Sequence, residues 1–238
     1  MSKSETSMSG SGGATILTGA ASGIGRAAAE ALAKKSRKLA LVDADAAALG
    51  EVVAACRKHS PGAAGFVCDV TDAAGVARAC REIREQLGAA SVLINCAGIG
   101  RFAPFLKTEP AAWERMFRVN VLGAVHFTRA VLPEMLAARE GLIINVGSRM
   151  AVDPHPNTTA YSASKAALLA FSKSLALEVK QHGVKISLLA PGGTKTRIAT
   201  PKHEGYLEPE AIAEAIVYIT EQGGKAWVRD LVVLPLDF

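Results

Sequence analysis

The stretch ATILTGAASGIGRAAAEALA, residues 14–33, decides the fold. Its first five residues are apolar or β-branched and bounded by glycines, which predicts a short buried strand. Farther on, Ile24, Ala28, Ala31 and Leu32 recur at helical spacing, and the run closes on Lys34, Lys35, Arg37 and Lys38, cations suited to a helix C-terminus. Gly19, Ser22, Gly23, Ile24 and Gly25 occupy the turn between strand and helix. Glycines there let the backbone turn sharply and approach a pyrophosphate, whose charge would meet the free N–H groups of the helix N-terminus. The spacing is G-x-x-x-G-x-G rather than G-x-G-x-x-G, so a plain tight turn is the competing reading.

Working outward, the alternation of strand and helix continues. KLALVD (38–43) predicts a second strand, Asp45 can cap a helix over 46–58, GFVCD (65–69) predicts a third strand, and Thr71 can cap a helix running to Leu87. VLIN (92–95) follows, then a long helical stretch from Ala111 to Arg139 with Gly123 and Pro133 as places for a bend, then LIINVGS (142–148). A helix over 158–182, apolar on nearly all faces, must be buried on more than one side. KISLLA (185–190), a helix over 209–221 and LVVL (231–234) complete the series. Near-continuous hydrophobic strands separated by helices specify an α/β fold: a single doubly wound domain over 14–238, with a parallel seven-stranded sheet covered by helices on both faces. Residues 1–13 read as a flexible N-terminal tail.

The composition narrows the partners. In 238 residues, 27 Lys+Arg stand against 22 Asp+Glu, a net charge of +5, with half the residues apolar and 21% charged, which excludes a mostly disordered chain. The cations are scattered rather than gathered on one face, so solvated surface is expected and no nucleic-acid partner. No uninterrupted apolar run approaches the roughly 18 residues a bilayer span needs, and the N-terminus lacks the apolar stretch of a signal peptide. No membrane association is expected. Cys56, Cys68, Cys80 and Cys96 form no C-x-x-C pair and have no His at ligand spacing, so neither a metal site nor a disulfide framework is expected, and a reducing, cytoplasmic compartment fits.

Asp43 ends the second predicted strand. A carboxylate there can accept hydrogen bonds from the adenosine ribose hydroxyls and would repel a 2′-phosphate, which points to NAD; a helix cap is the alternative. Its neighbours Ser22 and Ala44 bring no cation of the kind NADP would want. In the segment YSASK (161–165), spacing of i to i+4 places Tyr161 and Lys165 on one helix face. A phenol with an ordinary pKa near 10 is a poor base at neutral pH until a cation favours the phenolate, and Lys165 is the expected cation. Ser148 ends the fifth predicted strand, where a hydroxyl can donate to a substrate oxygen. Asn120 lies in a helical stretch despite poor helix propensity, which calls for a tertiary role.

On TGAASGIG (18–25), Asp43, CDV (68–70), NCAG (95–98), Asn120 in RVNVLG, Ser148, YSASK (161–165) and PGGTKT (191–196), the chain resembles the short-chain dehydrogenase/reductase family, over essentially all of 14–238. The resemblance implies a Rossmann fold and a catalytic tetrad of Asn120, Ser148, Tyr161 and Lys165. It implies adenine contacts from Asp69 and Val70, and support beside the cofactor ribose from Asn95, Ala97 and Gly98. Pro191, Gly192, Thr194 and Thr196 would lie at the nicotinamide, the threonines on its carboxamide. Asn120 would bend its helix and link Lys165 to solvent. Cys96 replaces the second asparagine of the family's N-N-A-G.

The expected activity is hydride transfer between NAD(H) and a secondary alcohol or ketone, with Tyr161 as general acid and base. Alternatives are an NADP(H)-dependent carbonyl reductase of the same fold and a nucleotide-binding regulatory protein without catalysis. An added RNA-binding role lacks an aromatic-rich basic strand. The substrate loop, 197–208, is short, and Arg101, Phe102, Arg149, Met150, His155, Arg197 and His203 are the residues near enough to line a pocket. Three arginines there make an anionic substrate group one reading, and solvated or carboxylate-paired arginines the other. His155 is expected on a loop surface, and Cys68 and Cys96 as buried small hydrophobes. The apolar helix over 158–182, with Ala163, Ala166, Ala167 and Ala170, predicts a homodimer or homotetramer.

Overall fold

Neighbouring residues of the central strands belong to opposite cores, and that alternation builds the layers. Leu17, Leu39, Leu41, Ile94 and Ile144 pack into one apolar cluster, while Ile16, Ala40, Val42, Leu93 and Ile143 pack into another across the sheet. Every one of them is buried, so these strands carry no polar face and need cover on both sides. The computed structural model describes residues 12–35, 38–198 and 203–236. Of the expected tail only Gly12 and Gly13 fall among them, and Arg37 lies outside them.

The strands are β1 (Ala14–Thr18), β2 (Leu39–Asp43), β3 (Ala64–Val67), β4 (Ala90–Asn95), β5 (Gly141–Val146), β6 (Val184–Pro191) and β7 (Asp230–Val233). They form one seven-stranded sheet in the order β3-β2-β1-β4-β5-β6-β7, parallel at every pairing. The chain therefore winds outward from β1 in one direction and, after β3, restarts at β4 and winds in the other. Between β1 and β4 the crossovers diverge and leave a crevice beyond the carboxyl ends of the strands.

Helices α1 (Gly23–Ala33), α2 (Ala46–Arg57) and α7 (Pro209–Thr220) bury Leu32, Val52, Ile212 and Ile216 in the first cluster. Helices α3 (Ala73–Leu87), α5 (Gly123–Ala138) and α6 (Thr159–Val179) bury Ile83, Phe127, Met135 and Val179 in the second. Helix α4 (Pro110–Phe117) begins with proline in its first turn, where the missing N–H costs nothing.

Several expectations need correction. The third strand stops at Val67, so Cys68 and Asp69 lie beyond it; β5 stops at Val146, two residues before Ser148. Helix α3 is capped by Asp72, which accepts the Ala74 N–H at 3.1 Å; Thr71 lies one residue earlier, in a turn where its N–H donates to Asp69 at 2.8 Å. Asp45 does cap α2, accepting the Ala48 N–H at 3.0 Å. Helix α5 continues through Pro133, and the stretch 111–139 is interrupted by a widened π turn over Arg118–Leu122, ending directly before Gly123. By length and apolarity the run Pro110–Ala138 could cross a membrane; here Phe127, Val131 and Met135 give it a buried face against the sheet. Within the single chain helix α6 turns Leu168, Ala176 and Val179 inward and leaves Leu177 65% exposed, which leaves the expected burial of a second side against another subunit untouched.

A chain of polar side chains crosses the second core. The Asn95 amide donates to Asn145 Oδ1 at 2.8 Å, the Asn145 amide donates to Ser172 Oγ at 2.8 Å, and the Ser172 hydroxyl donates to the Leu168 carbonyl at 2.7 Å. Asn145 and Ser172 thereby fasten α6, which carries the tyrosine and lysine, to the centre of the sheet. Asn145→Ala strands buried groups on both neighbours and should destabilise the fold by about 1–3 kcal/mol. Urea denaturation checks this: the midpoint should fall with the slope unchanged.

Candidate active site

The crevice between β1 and β4 is a cleft of about 910 Å³, near the upper end of small-molecule sites. Its floor is set by Thr18. The Thr18 hydroxyl accepts the N–H groups of Cys96 and Ala97 at 3.1 and 3.2 Å, tying the turn after β1 to the turn after β4. Gly19, with φ +68°, approaches so closely that a Cβ there would lie 2.7 Å from the Ala97 Cα. A Cβ on Gly25 would lie 1.9 Å from the Gly19 carbonyl oxygen. Ser22 heads α1 without capping it by its side chain, which leaves the first-turn N–H groups directed at the cleft lined by Ser22, Gly23, Ile24 and Gly25. This cradle, with backbone donors and no side chain inside, fits a pyrophosphate.

At the outer end lie Asp43, Asp69 and Val70. The Asp43 carboxylate accepts the Ala21 N–H at 2.9 Å and the Asp45 N–H at 3.0 Å, so it is held in one orientation, and the capping of α2 falls to Asp45 instead. Val70 is fixed from behind by His126, which the sequence did not single out, and by Gly123, which it marked only as a place for a bend. The His126 ring nitrogen lies 3.0 Å from the Val70 carbonyl, and a Cβ on Gly123 would meet the Val70 side chain at 2.7 Å.

Asn120, Ser148, Tyr161 and Lys165 converge at the inner end. Asn120 sits in the π turn, where its amide group clasps Ile99 by both main-chain groups, at 2.8 and 2.9 Å, and donates to Ser164 Oγ at 3.0 Å. It positions the cleft wall and does not itself line it. Ser148 accepts the Met150 N–H at 3.1 Å and is hydrogen-bonded to the Tyr161 phenol. Lys165 donates to the Val146 carbonyl at 2.9 Å, with Nζ 5.9 Å from the centre of the Tyr161 ring.

Burial governs the charges. Desolvation pushes the phenol of Tyr161 up to about 12, against the smaller opposing pull of the Ser148 hydrogen bond. Burial also brings Lys165 down to about 8, partly offset by Cys96. The shift runs opposite to the lowering expected from Lys165, and its cause is desolvation. Burial likewise raises the thiols of Cys56 to about 11 and of Cys80 and Cys96 to about 12, and pushes Cys68 upward, so none resembles an activated thiolate. Among the described residues no group of His, Cys, Asp and Glu is arranged to hold a metal.

Ala97, Gly98, Pro191, Gly192, Thr194 and Thr196 line the cleft as expected. Asn95 does not: its side chain turns into the core network, where its Oδ1 is buried without a partner. Of the substrate candidates, Phe102, Arg149, Met150 and Arg197 line the cleft, whereas Arg101, His155 and His203 do not. Arg149 pairs with Asp153 at 2.6 Å and contacts His155. His203 packs edge-on against Tyr206, which does line the cleft together with Ile99, Gly100, Gly193 and Ile198. No spacing rule marks these residues, because loop closure brings them in. The part of the substrate loop over 199–202 lies outside the described residues.

The family model for short chain dehydrogenase matches residues 14–207, and the chain belongs to that family of oxidoreductases. An uncharacterized oxidoreductase of Staphylococcus saprophyticus is 32% identical over 225 residues, covering 93% of this chain and 96% of its own. A 3-ketoacyl-(acyl-carrier-protein) reductase from Brucella melitensis, solved with NADH, superposes with a TM-score of 0.87 at 28% identity, covering 94% of this chain and 98% of its own. An alcohol dehydrogenase from the archaeon Thermococcus sibiricus, solved with 5-hydroxy-NADP, gives 0.86 at 26%, covering 94% and 97%. The neighbours thus bind nicotinamide cofactors of both kinds.

The depressed Lys165 has a measurable cost. Below pH 8 the buried ammonium is charged in both states and the folded protein bears the full desolvation penalty; between about 8 and 10.5 the unfolded chain holds more protons, so this penalty fades as pH rises. The stability of the wild type relative to Lys165→Met should therefore increase from pH 7 to pH 10, read by urea denaturation at both.

Proposed function

We propose that the protein transfers hydride between NAD(H) and a secondary alcohol or its ketone, with Tyr161 as the acid and base. One observation carries this reading: the buried Tyr161 phenol, bonded to Ser148 and backed by Lys165, opens into the same cleft as the glycine cradle and Asp43. Gly19 to Gly25 would hold the pyrophosphate, Asp43 the adenosine ribose, Asp69 and Val70 the adenine, Tyr161 and Lys165 the nicotinamide ribose, and Thr194 and Thr196 the carboxamide. When bound, NAD⁺ supplies the acceptor for the hydride that leaves the carbinol carbon.

The chain's own residues move the proton. In oxidation, the Tyr161 oxygen takes the hydroxyl proton of the alcohol as C–OH becomes C=O; in reduction it returns that proton to the carbonyl oxygen. Its high pKa makes the protonated phenol the resting form, ready to donate in the reductive direction. Ser148 orients the substrate oxygen and stabilises charge on it, and Asn120 acts through Ile99 as a positioning residue. Tyr161→Phe should lower kcat by about 10²–10⁴ while NADH affinity, followed by its fluorescence, stays nearly unchanged.

The preference for NAD over NADP rests on Asp43, whose two backbone donors hold its carboxylate in place. A 2′-phosphate at that point would face a fixed negative charge, and the adjoining cleft residues Ser22 and Ala44 bring no counter-charge. KM for NADPH should exceed KM for NADH by about tenfold or more, equivalent to about 1.4 kcal/mol. Asp43→Ser should narrow that ratio. A wild-type preference for NADPH would reverse the assignment.

A further inference from the structure

The walls around Tyr161 are apolar. The Phe102 ring meets the Tyr161 ring edge-on at 5.4 Å and 76°, and Ile99, Met150 and Ile198 pack into the same cluster. Gly100 sits between two of these walls. A Cβ there would lie 2.6 Å from the Ile198 side chain and 3.3 to 3.4 Å from the Tyr161 ring, so the isoleucine comes this close to the phenol only because residue 100 has no side chain. Ile198 is held in turn by its N–H, which donates to Thr196 Oγ1 at 3.3 Å.

The charged residue nearest in sequence to Ser148 lines the cleft with its guanidinium already engaged. Arg149 is engaged by Asp153 and His155, and its side chain is only 16% exposed. A substrate carboxylate would have to displace that ion pair or remain among apolar side chains, and both are unfavourable. Arg115, Arg118 and Arg197 also line the cleft, but none of them belongs to the apolar cluster around Tyr161.

Resting on the dehydrogenase reading, we infer that the substrate is an uncharged secondary alcohol or ketone with a compact apolar flank, gripped between Phe102 and Ile198 beside Tyr161, with Gly100 as the residue that lets the grip close. The discrimination available is that of a hydrophobic pocket, about 10–200-fold per methylene.

The test uses the full chain saturated with NADH and two ketones that differ only in one substituent, acetophenone and phenylglyoxylate. Ligand binding is read from the fluorescence of NADH bound to Tyr161→Phe, alone and combined with each variant below, in which hydride transfer is too slow to consume the NADH during the titration. Acetophenone should bind at least about tenfold more tightly than phenylglyoxylate, a difference of about 1.4 kcal/mol. Ile198→Ala and Gly100→Ala should each weaken acetophenone several-fold, while NADH binding by the variants reports that they are folded. Equal or tighter binding of phenylglyoxylate, especially if Arg197→Ala abolishes it, overturns the inference, as does acetophenone binding that is absent or indifferent to Ile198→Ala. Those results leave the dehydrogenase reading standing. A wild-type protein that binds neither NADH nor NADPH overturns both.

Discussion

The hydroxyl of Thr18, one buried atom at the end of β1, accepts N–H groups from Cys96 and Ala97 and so joins the turns after the two strands that begin the opposite windings of the sheet. The contact requires close approach of backbone to backbone, which is why residue 19 has no side chain and a positive φ. If these turns separated, the glycine cradle would lose its wall and Asn120 would clasp a displaced Ile99. The sheet supplies the crevice by topology alone, but this tie gives it a defined floor.

At the inner end the dominant physical term is desolvation. Tyr161 and Lys165 are each less than a tenth exposed, and burial drives both toward their neutral forms, the phenol upward and the amine downward. A helix carrying such groups has to be anchored, and α6 is fastened by the Asn95–Asn145–Ser172 chain in the core and by the Ser164–Asn120 contact at the site. Stability and site geometry therefore depend on the same polar residues, an arrangement typical of sites that hold buried ionisable groups against their solvation preference.

Much of this was legible in order along the chain. Alternation of apolar strands with helices, the glycine-rich turn, Asp43 at a strand end, and Tyr161 four residues before Lys165 are local patterns with local causes. The misreadings share one reason. Thr71 is a good cap by residue type, but the turn ahead of α3 leaves that role to Asp72, one residue on; Asn95 suits a cofactor contact by its place at a strand end, but its side chain faces Asn145. Arg101, His155 and His203 are near the site in sequence but do not reach the cleft, whereas Tyr206 and Ile198 arrive from across a loop.

By itself, then, the sequence determined the layers, the winding of the sheet and the candidate chemistry, because hydrophobic periodicity, turn glycines and the spacing within one helix act over a few residues. Only the tertiary structure decided which of those polar groups face the cleft and how they are charged. Closeness across the sheet, as between Gly19 and Ala97 or between Gly100 and Ile198, and the desolvation of Tyr161 and Lys165 come from packing among distant segments, for which no local pattern has a counterpart.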